Sequence, residues 1–457
     1  MNQLSPVLLK ALELSKPMQG EVKKVSSIAK EVKERISKHT SSSTKIKDVV
    51  LGGSYAKGTW LKGDVDIDIF IKMDSSMKEE EFELLGKQIG LESLKEYGPY
   101  LRYSDHPYVE AFVDGIRVNI VPCYDVEKWN WRSAADRSPF HTEYITMKLD
   151  EEKRDQVRLL KKFLKSLGIY GAEIAKNGFS GYATEVLILK YGSFQSTLET
   201  LSHVQEEKVI ISTDPIDEES AKKAFKHSII ILDPIDPKRN LGTAISVENF
   251  GKFVLAARAF LKEPSIEFFT LKEKGGTAKI FSEIYPNILV VSFDYRERSP
   301  DVIWGQLKKS MNAISKQLML AGFNIIRSKC TTDERTEAAF IFLLESTTLP
   351  SYMVKTGPKV LRGYDSSKFV SKNNNIARLM WIDNEMRITT LVARKATDAK
   401  EYVRFLLNER IDRIGITKGL VPDLENKTQI HTANETKLTH LVETAINELI
   451  TIEKIFF

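Results

Sequence analysis

Along residues 66–70 and 108–121, β-forming apolar residues alternate with polar ones. Along 20–39 and 157–167, apolar residues return every three or four positions. The first pattern predicts strands with one buried face, the second amphipathic helices. The stripe of the first helix is Val22, Val25, Ile28, Val32 and Ile36, with Ser41-Ser42-Ser43 as its end, and Gly168 stops the second. Between the strand-like runs 108–113 and 116–121, the Asp114-Gly115 step predicts a two-residue hairpin. Counting outward from that turn pairs Val113 with Ile116, Ala111 with Val118 and Glu110 with Asn119. From about residue 146 the pattern is helical, with further helices near 181–194 and 246–262. Beyond 263, strand-like runs such as 288–293 alternate with a helix over 300–321. The segment 203–230, rich in Glu and Lys, reads as an excursion without chemistry, and 438–450 as a helix packing on the C-terminal body.

The densest chemistry lies in 52–70. Gly52-Gly53-Ser54 precedes Asp64, Asp66 and Asp68, which stand at alternate positions of a β-forming run and so project to one side. Like charges placed this way are kept where a cation binds them, and hard oxygen ligands favour Mg²⁺. The small residues let backbone N–H groups approach a triphosphate, with the Ser54 hydroxyl as donor and Lys57 as a positive point charge. An ordinary strand with a solvated acidic face is the plain alternative.

That stretch, with Val-Pro-Cys-Tyr at 121–124, Ser-Ala-Ala-Asp-Arg-Ser-Pro-Phe-His at 133–141, Gly-Ile-Tyr-Gly-Ala-Glu at 168–173 and Gly-Phe-Ser-Gly-Tyr at 178–182, resembles the archaeal, class I CCA-adding enzymes, which are tRNA nucleotidyltransferases. The likeness spans over half the chain in the family's order. It implies a multidomain α+β protein: a polymerase-β-like palm at 1–145, a mostly helical central substrate-binding domain at 146–262, and an α+β RNA-binding body and tail at 263–457. It also implies addition of C, C and A to the tRNA 3′ end from CTP and ATP, with no nucleic-acid template and with Mg²⁺ as cofactor.

Carried over by position, Gly53, Ser54 and Lys57 correspond to the triphosphate site, and Asp66 and Asp68 to the first two metal carboxylates. Asp64 falls where the family requires nothing. His141, Lys161 and Tyr170 match further nucleotide contacts, and Arg239 the arginine that reads the incoming base. Each has a plainer reading: a structural histidine, a lysine snorkelling beside Leu160 and Leu164, a boundary aromatic, a surface charge. Where the family has its third carboxylate this chain has Asn119, whose amide can ligate a metal but cannot accept the proton of an attacking hydroxyl. Glu110, opposite it in the predicted hairpin, is a candidate source of the missing charge. A solvent-facing Glu110, or a site content with two carboxylates, is the alternative.

In 457 residues, 42% hydrophobic, there is room for about three domains. Two cysteines without CxxC spacing argue against a disulfide scaffold or zinc site. No signal region opens the chain and no run of 18 apolar residues occurs, which predicts a cytoplasmic protein without membrane association. A net charge of +5 is mild for an RNA-binding protein, so binding must rest on local clusters. The richest is Lys355, Lys359, Arg362, Lys368 and Lys372 among Tyr352, Tyr364 and Phe369. It is expected as a loop or hairpin of the tail gripping the T arm while the acceptor stem enters the palm; a solvated loop is the alternative. A related poly(A)- or oligoadenylate-type polymerase and a tRNA binder disabled by Asn119 are the competing functions, and a homodimer is left open.

Overall fold

The computed structural model describes residues 4–40, 43–103, 106–270, 282–425 and 428–450. They form two compact units, one before residue 271 and one from 282 onward.

In the first unit, α1 (Leu4–Ser15) and α2 (Gln19–Thr40) precede β1 (Ile46–Gly52), the five-residue α3 (Gly53–Lys57), β2 (Asp66–Asp74), α4 (Glu79–Ser93), β3 (Tyr100–Tyr103), β4 (Pro107–Val113) and β5 (Ile116–Asp125). The strands make one sheet in the order β1-β2-β5-β4-β3. Only β2 and β5 run parallel. Alternation decides what each face does. Ile67, Ile69, Ile71, Val109, Ala111, Val118 and Ile120 are fully buried against Val25, Ile28, Val32 and Ile36 of α2 and Phe82 and Ile89 of α4. The residues between them are left for the opposite, more polar face. The α2 stripe falls where its spacing predicts, except that Val22 is 44% exposed. The Asp114-Gly115 hairpin has the predicted register, Val113 to Ile116, Ala111 to Val118 and Glu110 to Asn119.

The helical part follows with α5 (Arg137–Lys148), α6 (Glu151–Ser166), α7 (Gly181–Tyr191), α8 (Phe194–Ser202), β6 (Val209–Ile211), α9 (Glu218–Ala224), β7 (Ile229–Ile231) and α10 (Val247–Lys262). Asp150 and Ser180 cap α6 and α7 by accepting from the Lys153 and Ala183 amides at 2.8 and 3.0 Å. An aromatic cluster of Phe163, Phe194, Phe253, Phe260 and Phe269 fills the core. Residues 203–230 are more than an excursion. Ile211 at one end and Ile229 at the other join that core through the parallel pair β6–β7.

In the second unit, β8 (Ile288–Asp294), α11 (Pro300–Ala321), β9 (Ile325–Thr332) and β10 (Glu337–Leu344) are followed by β11 (Tyr352–Lys359), α12 (Gly363–Asn373), β12 (Ala377–Ile382) and β13 (Arg387–Ala393). After these come α13 (Ala399–Glu409), α14 (Val421–Glu425), β14 (Gln429–Thr432) and α15 (His440–Ile450). One sheet has the order β14-β8-β10-β9 and a smaller one β11-β13-β12. As predicted, α15 packs on the body, sending Val442, Ala445, Ile446 and Leu449 against Ile288, Val290, Ala339 and Ile341.

Candidate active site

The polar face of the first sheet carries the carboxylates in register. Asp66 stands beside Arg117, and Asp68 beside Asn119, across the parallel pair. A row of Gly52, Asp68, Asn119, Glu110 and Tyr100 crosses all five strands. The expected acidic triplet is therefore a pair. Asp64 lies before the strand, in a turn through Gly63 closed by a bridge to Leu61, and Lys165 takes its carboxylate.

Gly53 has φ of +64°, and a Cβ there would lie 1.9 Å from Asp68 Oδ2. The first turn of α3, with Ser54, is thus pressed against the second carboxylate. Burial pushes the Asp68 carboxyl above its usual range, against the Asn119 amide, which donates to Oδ1 at 2.9 Å. Asn119 Oδ1 is buried without a hydrogen-bond partner among the described residues. A stranded carbonyl beside two carboxylates is a set of hard oxygens suited to a divalent cation. Glu110 is buried, which removes the solvent-facing alternative. Its carboxylate accepts from the Tyr100 hydroxyl and lies 3.6 Å from Arg102 Nη2.

Behind α3, a second constellation spans three helices. Glu185, 1% exposed, accepts from Lys57 Nζ at 2.9 Å and Thr59 Oγ1 at 2.6 Å, with Lys161 Nζ 3.5 Å away. Burial pushes the Glu185 carboxyl up, but the two lysines and Thr59 outweigh it and hold it below the ordinary value. Lys57 is therefore no free point charge. Lys161 does not snorkel: it is 1% exposed, donates to the Thr59 carbonyl at 3.1 Å, and is pushed by burial down to about 8. A side chain at position 181 would meet the Tyr170 hydroxyl at 3.0 Å and the Lys161 ammonium at 3.6 Å. Both groups thus converge on the start of α7, and a helix N-terminus favours anions.

A third group forms around Asp233. His141 Nε2 lies 2.9 Å and Arg239 Nη1 3.2 Å from its Oδ2, the Tyr182 hydroxyl donates to Oδ1 at 3.0 Å, and the Tyr182 ring stacks on His141 at 3.9 Å. Burial pushes His141 below its usual range. Asp136, of the Ser-Ala-Ala-Asp motif, accepts from the Tyr124, Arg132 and Ser133 amides and fixes the turn into α5, hence His141.

In the second unit, Lys355 and Lys359 lie on β11, Arg362 just before α12, and Lys368 and Lys372 on α12. In place of the expected loop or hairpin, these residues lie on a strand, a turn and a helix. Lys359, Arg362 and Lys368 are exposed.

Sequence reading missed Glu185, Asp233, Tyr182 and Thr59. Glu185 did leave a signal, as the single carboxylate of that helix just ahead of the apolar run Val186-Leu187-Ile188, where an unpaired acid is not tolerated. Asp233 left none.

The mixed sheet, the glycine-serine turn and the carboxylate pair define a nucleotidyltransferase. Three family matches follow in order: a nucleotidyltransferase domain over residues 25–145, the second domain of tRNA nucleotidyltransferases over 155–270, and the C-terminal domain of CCA-adding enzymes over 286–433. A CCA-adding enzyme of Saccharolobus solfataricus is 35% identical over 86% of this chain and 90% of its own. One of Pyrobaculum neutrophilum is 37% identical over 81% and 86%. The chain belongs to the CCA-adding enzyme family and is a tRNA nucleotidyltransferase. Among solved structures, the Cid1 poly(U) polymerase is similar at 15% identity, with a TM-score of 0.46, over 58% of this chain and 96% of that one. No helix among the described residues is long and apolar enough to cross a membrane.

Proposed function

We propose that this enzyme completes tRNA with CTP and ATP on the polar face of the first sheet, with Asp66, Asp68 and the Asn119 carbonyl holding Mg²⁺. The observation that carries this is the buried, unpartnered Asn119 Oδ1 in register with Asp68. Bound there, Mg²⁺ would lower the barrier to attack by the tRNA 3′-hydroxyl on the α-phosphorus and to departure of pyrophosphate. The protein's own part is largely positioning. Gly53 and Ser54 offer N–H and hydroxyl donors to the triphosphate, while Lys161, Tyr170 and the first turn of α7 supply positive potential beside it. Lys57 acts through Glu185 by keeping that lysine pair gathered. Asp233 sets His141 and Arg239 for the base. Glu110 contributes negative charge one strand beyond Asn119; its ties to Tyr100 and Arg102 suit that role better than proton acceptance. An inactive Glu110→Gln with normal tRNA affinity supports this, and full activity removes it. Lys355, Lys359, Arg362 and Lys368 hold the T arm while the acceptor stem lies in the palm, and the enzyme works in the cytoplasm. Domains are taken as 1–145, 146–262 and 263–457.

The test is extension of a tRNA transcript lacking its last three nucleotides, with Mg²⁺, CTP and ATP. Addition of CCA followed by arrest supports the proposal. Tight tRNA binding without extension would mark a binder disabled by Asn119, and an unlimited A tail would mark a poly(A)-type polymerase.

A further inference from the structure

Arg117 lies on the carboxylate face beside Asp66, and the proposed chemistry leaves it without a part. Its Nε donates to Asp66 Oδ1 at 2.8 Å and its Nη2 to the other oxygen, so both oxygens of one proposed metal ligand are engaged by a single guanidinium. The pairing is fixed by the backbone. Asp66 and Arg117 are direct neighbours across the parallel strands, as Asp68 and Asn119 are two residues on. The pair is partly open to solvent, with side chains 45% and 38% exposed. An exposed pair of this kind contributes little to stability, so it is free to exchange partners.

The charge count makes the consequence specific. Asp66 and Asp68 contribute −2 and Arg117 +1; Glu110, beyond Asn119, adds −1 but has Arg102 3.6 Å away to offset it, and Asn119 adds dipole but no charge. A divalent cation arriving alone meets a site of net −1 in which one ligand is already bound at both oxygens. A nucleoside triphosphate arriving with its metal brings additional anionic oxygens, and planar guanidinium groups bind phosphate by the same two-pronged geometry they use for carboxylate.

We propose that Arg117 is a resident counter-cation of the metal site, closing Asp66 to metal in the free enzyme and passing to the nucleotide's phosphates when the two enter together. Metal and nucleotide binding are thereby coupled, and Arg117 is a positioning residue. The inference rests on the assignment of Asp66 and Asp68 as metal ligands.

The probe is Mn²⁺, its free concentration followed by electron paramagnetic resonance, with and without a non-hydrolysable CTP analogue. For R117Q the expected result is Mn²⁺ affinity on the order of tenfold tighter without nucleotide, the scale on which groups bound to metal ligands act. The ratio of affinities with and without nucleotide should shrink correspondingly. R117K keeps the charge but loses the two-pronged contact; it should fall between, and it serves if R117Q does not fold. Unchanged affinity and unchanged coupling in the variants would overturn the proposal. D66N and D68N separate the two ideas. If neither weakens Mn²⁺ binding, the metal assignment itself fails; if both do while R117Q matches the parent, only the role of Arg117 fails.

Discussion

Asp68 and Asn119 are joined across the parallel strands by a single 2.9 Å hydrogen bond, and it is the amide's donor that Asp68 uses, leaving the carbonyl without a partner among the described residues. The pair behaves as an acid and its neutral surrogate. The amide satisfies one carboxylate oxygen and offers its own oxygen to a cation, without adding a charge that would repel Asp68.

That arrangement predicts a trade in Asn119→Asp. The new carboxylate would face Asp68 across one strand spacing, where like charges are destabilising. Metal-free protein should therefore melt lower than the parent near pH 7, and saturating Mg²⁺ should restore it. Apparent Mg²⁺ affinity in CCA addition should rise on the order of tenfold, the usual scale for one added or lost group at a metal centre. Melting curves and a Mg²⁺ titration of initial rate check both. Equal melting points with and without metal would separate Asn119 from the cation.

The buried lysine predicts opposite pH trends for stability and for nucleotide binding. Lys161 titrates at about 8 in the folded protein against the ordinary 10.5. Between these values the unfolded chain holds more protons, so stability rises with pH. Burial's penalty on the charged lysine is fully present below about 8 and is relieved above it. As the pH passes about 8 the ammonium beside the proposed triphosphate site is lost, so KM for CTP should climb severalfold between about pH 7 and 9.5 while kcat changes less. Lys161→Met should start with the high KM and show no such climb. A parent KM that stays flat across the window argues against the lysine as a nucleotide contact.

Much of this was legible in the chain, and the misses have two causes. Local rules were sufficient for the hairpin, because Asp114-Gly115 sets both turn and register, and for α2 and α11, because their periodicities are long. Asp64 failed because nothing in the spacing revealed that the Leu61–Asp64 bridge would delay the strand to Asp66. The partners of Lys57 and His141, which are Glu185 and Asp233, went unread for another reason. They lie 128 residues away for Lys57 and Glu185, and 92 for His141 and Asp233. Pairings of that separation exist only once the helices have packed. The family likeness singled out His141 and Arg239, which the structure brings together on Asp233, but not that aspartate.

The exposed basic residues of the second unit predict a binding effect that leaves the chemistry intact. Replacing Lys359, Arg362 and Lys368 together by Ala should weaken tRNA binding and lower the slope of log affinity against log salt by about one unit for each phosphate contact removed. The kcat at saturating tRNA should stay near the parent's. A short acceptor-stem substrate lacking the T loop should bind parent and variant alike. A comparable loss on that substrate would place these residues somewhere other than the T arm.

Gly53 offers the sharpest separation of stability from chemistry. Its φ of +64° is a left-handed conformation that costs an L-residue about 1–2 kcal/mol. That alone would lower the melting temperature of Gly53→Ala by only a few degrees. The new Cβ, however, would fall 1.9 Å from Asp68 Oδ2, so either the carboxylate or the first turn of α3 must shift. Displacement by about 1 Å of a group that positions the reacting atoms is enough to lose on the order of a hundredfold in rate. Gly53→Ala should therefore stay folded by circular dichroism, bind tRNA as the parent does, and add CTP at least about a hundredfold more slowly. Gly63→Ala is the matched control, with φ of +69° and nothing within 4 Å of the added carbon. It should show the small melting shift without the kinetic loss. If the two variants lose rate equally, left-handed strain alone explains the effect, and the contact between α3 and Asp68 has no part in catalysis.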